Sequence, residues 1–316
     1  MQCFILAGGF ATRLWPLTER RAKPLLPLVG KPLLTHIVES IPEGIAITAS
    51  TNAEFAESMQ EWQQTLGRPV TVIVEKTRSD KEKLGALGAL AQWMRESNVQ
   101  DDILLLAGDN YLGFKMSDFL ASYTPGVPLL AVREIGDRSA ATKFGTVVLQ
   151  PGTRCMALYE EKPKEPKSSL VSTTCAVFPP SVFPLILNYS LTHPDNNGGV
   201  WEQFLLNSVP CEAFPFTESW FDIGSYEAYL SATTTLVGTT VPADPTASFV
   251  DSTGRGSVVL GANSKVLHSE LTDTVLFEDC VVENCVLDRC ILDRGCVLKG
   301  IDLSGKMLRA GTILTR

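Results

Sequence analysis

The part of this sequence best suited to holding phosphate is near its start. The segment Leu6-Ala7-Gly8-Gly9-Phe10-Ala11-Thr12-Arg13-Leu14-Trp15-Pro16-Leu17-Thr18 is followed by Lys23-Pro24-Leu25-Leu26-Pro27. It joins an apolar run to a glycine turn, an arginine and a lysine. Gly8 and Gly9 carry no side chain to hold a ligand off the backbone, and their amides can face an anion. Arg13 offers a forked donor to phosphate oxygens, and Lys23 a point charge. An ordinary strand-to-loop turn with both cations in solvent fits the same residues, so both readings stay open here. Other phosphate motifs fit worse. No Gly-x-Gly-x-x-Gly follows the first strand. The Walker-like spacing Gly300 to Gly305-Lys306 has Met307 where a hydroxyl should bind metal, and it lies in a repeat rather than between a strand and a helix.

The elements that must position these residues alternate in type. Gln2–Ala7, Ile45–Ala49, Val70–Val74 and Ile103–Leu106 read as short buried strands. Helical patterns at Leu33–Ser40, Ala53–Leu66 and Leu84–Glu96 lie between them. Alternation of this kind predicts an α/β fold with a doubly wound, mainly parallel sheet. In such sheets ligands sit beyond the carboxyl ends of the strands, which is where Gly8-Gly9 and Asp109 fall. Further strands are expected at Leu129–Arg133, Phe144–Leu149, Met156–Glu160 and Thr173–Phe178, then helices near Pro180–Asn188 and Gly199–Asn207. The catalytic domain is expected to occupy residues 1–235. Residues 236–256 are rich in Gly, Thr, Pro, Ala and Ser and read as a linker.

Residues 257–316 have a different texture. An aliphatic pair, two polar residues and a small thiol recur every five or six residues around Cys280, Cys285, Cys290 and Cys296. That period suits a small β-helix whose short sides each send one residue inward. The cysteine gaps are too long and too regular for paired zinc ligands, so the thiols read as buried fillers.

Bulk properties narrow the function. The net charge is −8 over 316 residues, which disfavours a nucleic-acid partner. No apolar run reaches membrane-spanning length, and the run after Met1 is too short for a signal peptide and lacks a basic leader. A cytoplasmic protein with no membrane partner is expected.

The segment Gly8 to Pro27 resembles the signature of the sugar-1-phosphate nucleotidylyltransferases. That group includes glucose-1-phosphate thymidylyl- and uridylyltransferases and mannose-1-phosphate guanylyltransferases. Ala11 stands where the signature usually has its third glycine. Four later segments match in the same order. Leu105-Leu106-Ala107-Gly108-Asp109-Asn110 resembles the strand ending in Gly-Asp, and Phe144-Gly145-Thr146-Val147 the sugar-contact segment. Glu160-Glu161-Lys162-Pro163 resembles the Glu-Glu-Lys-Pro element, and Trp220-Phe221-Asp222-Ile223-Gly224-Ser225 the Trp-x-Asp-x-Gly element. The terminal repeats resemble the left-handed β-helix of many members. Thr174 replaces a glycine common before the next strand.

The resemblance implies a Rossmann-like nucleotidyltransferase domain followed by a small left-handed parallel β-helix. It implies transfer of a nucleotide from a nucleoside triphosphate, dTTP or UTP, to a hexose 1-phosphate, glucose 1-phosphate, with release of pyrophosphate. A mannose-1-phosphate guanylyltransferase and a non-catalytic regulatory subunit are the alternatives. The phosphate nucleophile is already ionised, so alignment and charge neutralisation should suffice. The implied catalytic residues are Arg13, Lys23, Asp109, Lys162 and Asp222, with Mg²⁺ held by Asp109 and Asp222. Leu6, Gly8, Gly9, Thr12, Arg13 and Gly85 would hold the nucleotide, and Gly145, Glu161 and Lys162 the sugar phosphate. The β-helix would drive homo-oligomerisation or cap the catalytic domain.

Overall fold

The structure is a computed structural model, and it describes residues 1–10, 12–77 and 84–316. Ala11 and the charged stretch 78–83, both singled out in the sequence, lie outside the described residues. The chain divides into two compact units, one of residues 1–9 and 37–220, the other of residues 10–36 and 221–316.

The first unit is built on a nine-stranded sheet. Its centre is four parallel strands, Gln2–Leu6, Ala46–Asn52, Thr71–Glu75 and Ile103–Ala107. Gln2–Leu6 lies between Ile103–Ala107 on one side and Ala46–Asn52 on the other, with Thr71–Glu75 outermost. The chain therefore leaves the first strand in one direction and returns on its other side with the fourth. This is a topological switch point, where an open α/β sheet leaves a crevice at its carboxyl edge. Gly108 donates its amide to the Leu6 carbonyl at 2.8 Å, which ties together the two strand ends that border the switch.

The strand Leu170–Phe178 then joins Ile103–Ala107 antiparallel, and Leu129–Glu134, Thr146–Leu149, Met156–Glu160 and Glu212–Phe216 extend the sheet. The ladder shifts register between Ser172 and Ala176. Inside that irregularity the Thr173 hydroxyl donates to the Ala131 carbonyl at 2.8 Å and accepts from the Cys175 amide. The core forms because the continuous apolar strands bury both faces, Cys3 and Ile5 on one and Phe4 on the other, where Phe4 packs in one cluster with Leu105, Trp93, Val132 and Phe178. Phe4 and Trp93 stack with centroids 4.6 Å apart.

The second unit joins the 10–36 segment to the helix Tyr226–Val237 and a three-sided stack of short parallel strands. Ser225 caps that helix by accepting from the Ala228 amide. The three stacked sheets hold five, four and four strands, consistent with the left-handed β-helix expected. One coil takes 16 residues: Lys265 pairs with Val281, Val281 with Val297. Each corner turns on a residue with positive φ, among them Asn263, His268, Asp273, Asp279, Asn284 and Arg289. The small residue that follows points inward and returns its side-chain proton to a carbonyl. Ser264 donates to Phe277, Cys280 to Asp293 and Cys296 to Arg309. The cysteines are therefore hydroxyl substitutes at the corners, buried beside Val266, Val282, Leu287 and Leu298.

The stretch read as a linker already contributes to this stack. Ser248–Val250 and Thr253–Arg255 pair parallel with Lys265–Leu267 and Glu270–Thr272. Ser252 and Gly256, the latter with φ 62, lie at its corners, Thr253 and Gly254 lie within a strand, and Gly238 closes the preceding helix, a mixture whose composition matches that of a loop. The Gly300–Lys306 stretch is likewise strand and corner, without a helix. Among the described residues no helix is long and apolar enough to cross a membrane.

Candidate active site

In the first unit, two groups of the expected residues sit at the carboxyl edge of the sheet or close to its antiparallel extension. The first group surrounds Gly8. Asn52 donates to the Gly8 carbonyl at 2.9 Å. A β-carbon on Gly8 would stand 2.6 Å from Glu75 Oε1, so a side chain there would have to displace that carboxyl. Gly9 is exposed and nothing lies within 4 Å of where its β-carbon would be. Glu75 is 8% exposed, and burial pushes its carboxyl above the usual range, opposed by a hydrogen bond from Ser50. Leu6 closes the strand with its carbonyl on Gly108, and Asp109 follows at once. Asn110 donates to Asp109 Oδ1 at 2.9 Å and accepts from the Trp220 indole at 2.7 Å. Trp220 in turn meets the Phe144 ring edge-on at 5.3 Å. The Asp109 side chain is thus oriented by a relay of named contacts.

Gly85 has φ +77 and precedes the helix Ala86–Glu96. A β-carbon there would fall 2.4 Å from the Pro194 carbonyl oxygen, which accepts from the amides of Leu87 and Gly88. Packing against Pro194 is a sufficient reason for this glycine.

The second group surrounds Glu161. Tyr159 donates to Glu161 Oε2 at 3.0 Å and stands 3.0 Å from the Ser172 hydroxyl. The Glu161 amide donates to Glu202 Oε1 at 3.0 Å. Gly145 and Gly198 are the clearances for this arrangement. Their β-carbons would fall 2.0 Å from the Tyr159 hydroxyl and 1.8 Å from Glu161 Oε2. Burial and the Glu161 charge hold the Tyr159 phenol well above its ordinary value, so it remains a donor. Lys162 has φ 45, and its amide donates to the Phe144 carbonyl, turning the ammonium out to solvent 3.7 Å from Glu161 Oε1. Glu160 faces elsewhere and pairs with Lys167 at 3.0 Å. Gly198, Gly199, Glu202 and Tyr159 escaped the sequence reading; for Gly198 and Glu202 the reason is that their contacts with Glu161 span 37 and 41 residues of chain.

The second unit collects the remaining candidates. Thr12 opens a short 3-10 turn to Leu14, and Arg13 on it is exposed. Lys23 opens a second such turn. Lys23 Nζ stands 4.0 Å from Asp222 Oδ1. Arg13 Nη2 lies 3.2 Å from where a β-carbon on Gly224 would stand, and Asp222 Oδ1 lies 3.5 Å from the same point. The Gly224 amide donates to the Asp222 carbonyl, folding the backbone tightly behind the carboxylate. Ile223 is buried while the Asp222 side chain is 48% exposed, so alternate residues point opposite ways and aim the acid outward. Arg13, Lys23 and Asp222 are therefore brought together here: two cations flanking one acid. Among the described residues no three His, Cys, Asp or Glu side chains gather as a preformed metal cage.

Residues 2–238 match the model of the nucleotidyl transferase family. The chain is 28% identical to the UTP–glucose-1-phosphate uridylyltransferase AglF of Haloferax volcanii, over 63% of this chain and 79% of that one. It is 27% identical to the mannose-1-phosphate guanylyltransferase catalytic subunit beta of Danio rerio, over 73% of this chain and 63% of that one. The matched stretch spans less than two thirds of several curated relatives, at 61%, 42% and 63% of their lengths. A solved UDP-glucose pyrophosphorylase from Acinetobacter baumannii shares the fold, with a TM-score of 0.61 at 19% identity, over 75% of this chain and 93% of that one. With the family match running through every ordered motif up to the β-helix, the chain belongs to the nucleotidyl transferase family.

Proposed function

We propose that the chain transfers a nucleotide from a nucleoside triphosphate to a sugar 1-phosphate and releases pyrophosphate. The observation that carries this reading is the gathering of Arg13, Lys23 and Asp222 about Gly224, from segments far apart in sequence. Such a cluster suits a polyanion better than a neutral ligand. Arg13 would grip phosphate oxygens in its fork and favour pyrophosphate as a leaving group. Lys23 would offset charge gathering at the α-phosphate. Gly8 and Gly9 would let the backbone approach the triphosphate. Gly145, Glu161 and Lys162 would take the sugar phosphate, Glu161 accepting from sugar hydroxyls and Lys162 pairing with the phosphate.

Asp109 and Asp222 are each proposed as Mg²⁺ ligands. The donor set fits that ion, because Mg²⁺ takes one or two protein carboxylates and fills its shell with water and substrate phosphate. When bound, it would screen the repulsion between the reacting anions.

The first reading of the substrates is glucose 1-phosphate with dTTP or UTP. A second is mannose 1-phosphate with GTP, favoured by relatives that match nearly three quarters of this chain and bear that name. Purified protein incubated with Mg²⁺, each triphosphate and a panel of sugar 1-phosphates should release pyrophosphate with one pair well above the rest. No release with any pair would overturn the proposal. Light scattering on the same preparation tests self-association through the β-helix.

A further inference from the structure

Arg21 stands in the signature segment between Arg13 and Lys23, and none of the roles above employs it. Its side chain is 16% exposed. Nη2 reaches Glu278 Oε1 at 3.2 Å and Asp293 Oδ1 at 3.4 Å. The guanidinium carbon lies 5.2 Å from the centroid of the Phe277 ring. Phe277, Glu278 and Asp293 all belong to the β-helix, the first two one coil before the third. Nη1 is buried without a hydrogen-bond partner, so the two carboxylates and the ring set the orientation of the group.

Two further ties flank this one. Glu19 accepts from both Nε and Nη2 of Arg309, the former at 2.6 Å. The buried Tyr229 meets the Phe277 ring edge-on and donates its hydroxyl to the Pro27 carbonyl. The segment is thus anchored at Glu19, Arg21 and Pro27, on either side of Lys23 and shortly after Arg13. A charge drawn out of water persists only when paired, and a pair so placed tolerates little displacement. A face of an aromatic ring adds to the hold on an arginine.

We infer that the β-helix sets the position of the phosphate-gripping segment, with Arg21 as the positioning residue for Arg13 and Lys23. The inference rests on the phosphate-handling reading of those two cations. It gives the terminal stack a task inside its own chain: misplacing a reacting group by an ångström costs rate even when every catalytic atom is present.

The test is hydrogen exchange by mass spectrometry on peptides covering residues 12–28, together with pyrophosphate kinetics. The variants are Arg21→Gln, Arg21→Lys, Glu19→Arg, Arg309→Glu and the Glu19→Arg/Arg309→Glu swap. Exchange in 12–28 should rise about tenfold in Arg21→Gln and less in Arg21→Lys. Either Glu19→Arg or Arg309→Glu should loosen the segment, and the swap should restore it. KM for the triphosphate should rise roughly tenfold in Arg21→Gln, with KM for the sugar phosphate within about twofold of wild type.

Wild-type exchange in Arg21→Gln overturns the inference. So does equal loosening of residues 145–202, or loosening with unaltered kinetics. If Arg21→Gln does not fold, the swap decides, since that pair is partly exposed: failure to restore exchange overturns the inference. A wild-type protein that releases no pyrophosphate, with the exchange pattern as expected, refutes the transfer reading and leaves the anchoring standing. Unchanged exchange in an active enzyme refutes the anchoring alone.

Discussion

Lys23 Nζ and Asp222 Oδ1 stand 4.0 Å apart in the second unit, one at the beginning of the chain and the other after the whole sheet has been laid down. Lys23 is 13% exposed and Asp222 48%, so the cation is held within the fold while the acid opens to solvent. The geometry leaves the carboxylate available to a ligand without leaving it unopposed. Gly224 behind it keeps the space that Arg13 and Asp222 approach together.

Asp222→Asn should therefore separate stability from rate. The Asp222 carboxylate is half in water and 4.0 Å from the ammonium, so losing its charge should alter stability by about 1 kcal/mol or less. Pyrophosphate release should fall by about 100-fold or more, and the Mg²⁺ concentration giving half-maximal rate should rise. Thermal unfolding and a metal titration read the two effects. A variant that works at wild-type rate would remove Asp222 from the proposed metal ligands.

The sequence exposed the backbone of this arrangement more readily than its contacts. The four apolar strands, the Leu33–Ser40 helix and the Met156–Glu160 strand follow from periodicity and stand as expected. Asp109 and Gly8 fall where the strand-end rule puts ligands, because strand length alone fixes that edge. The role of Gly198 was not legible. Its need for glycine comes from a carboxylate 37 residues earlier in the chain, brought in by the fold. The start of the β-helix was also concealed, since a stretch of Gly, Thr and Ser has the composition of a linker. Clustering of 10–36 with 221–316 had no local signal, being written in single pairs such as Arg309 with Glu19.

On the proposed sugar side, Gly198→Ala is the sharpest probe. The new methyl would fall 1.8 Å from Glu161 Oε2, so the carboxylate must swing away from Tyr159. KM for the sugar phosphate should rise by about tenfold or more, while KM for the triphosphate stays near wild type. Tyr159→Phe should act in the same direction more weakly, with a loss of about 1 kcal/mol in stability from the missing hydrogen bonds. Equal shifts in both KM values would show that Glu161 does not serve the sugar alone.

Glu75 predicts a pH dependence of folding. Its buried carboxyl is raised above the ordinary value, so the folded chain holds this proton more firmly than the unfolded chain does. The stabilisation is complete below the unfolded pKa and is lost as pH rises through the folded one. Glu75→Gln, which cannot ionise, should gain stability relative to wild type across that window and converge with it in acid. Denaturant midpoints of both proteins from about pH 4 to 7 measure the difference. A gap that widens toward acid would mean that the folded protein favours the ionised form.

The β-helix corners predict which substitutions the stack accepts. Cys280 occupies the place that Ser264 holds one coil earlier, and its thiol donates to the Asp293 carbonyl at 3.2 Å. Cys280→Ser keeps a donor of similar size there and should cost about 1 kcal/mol or less. Cys280→Val should cost more, because it leaves the buried carbonyl with one donor fewer and adds a methyl group in a packed corner. Leu287→Ala removes a fully buried side chain from the interior and should cost roughly 2–5 kcal/mol. Chemical denaturation followed by circular dichroism ranks the three. If Cys280→Val proves as stable as Cys280→Ser, the corner thiol acts through its volume and the hydrogen bond contributes nothing.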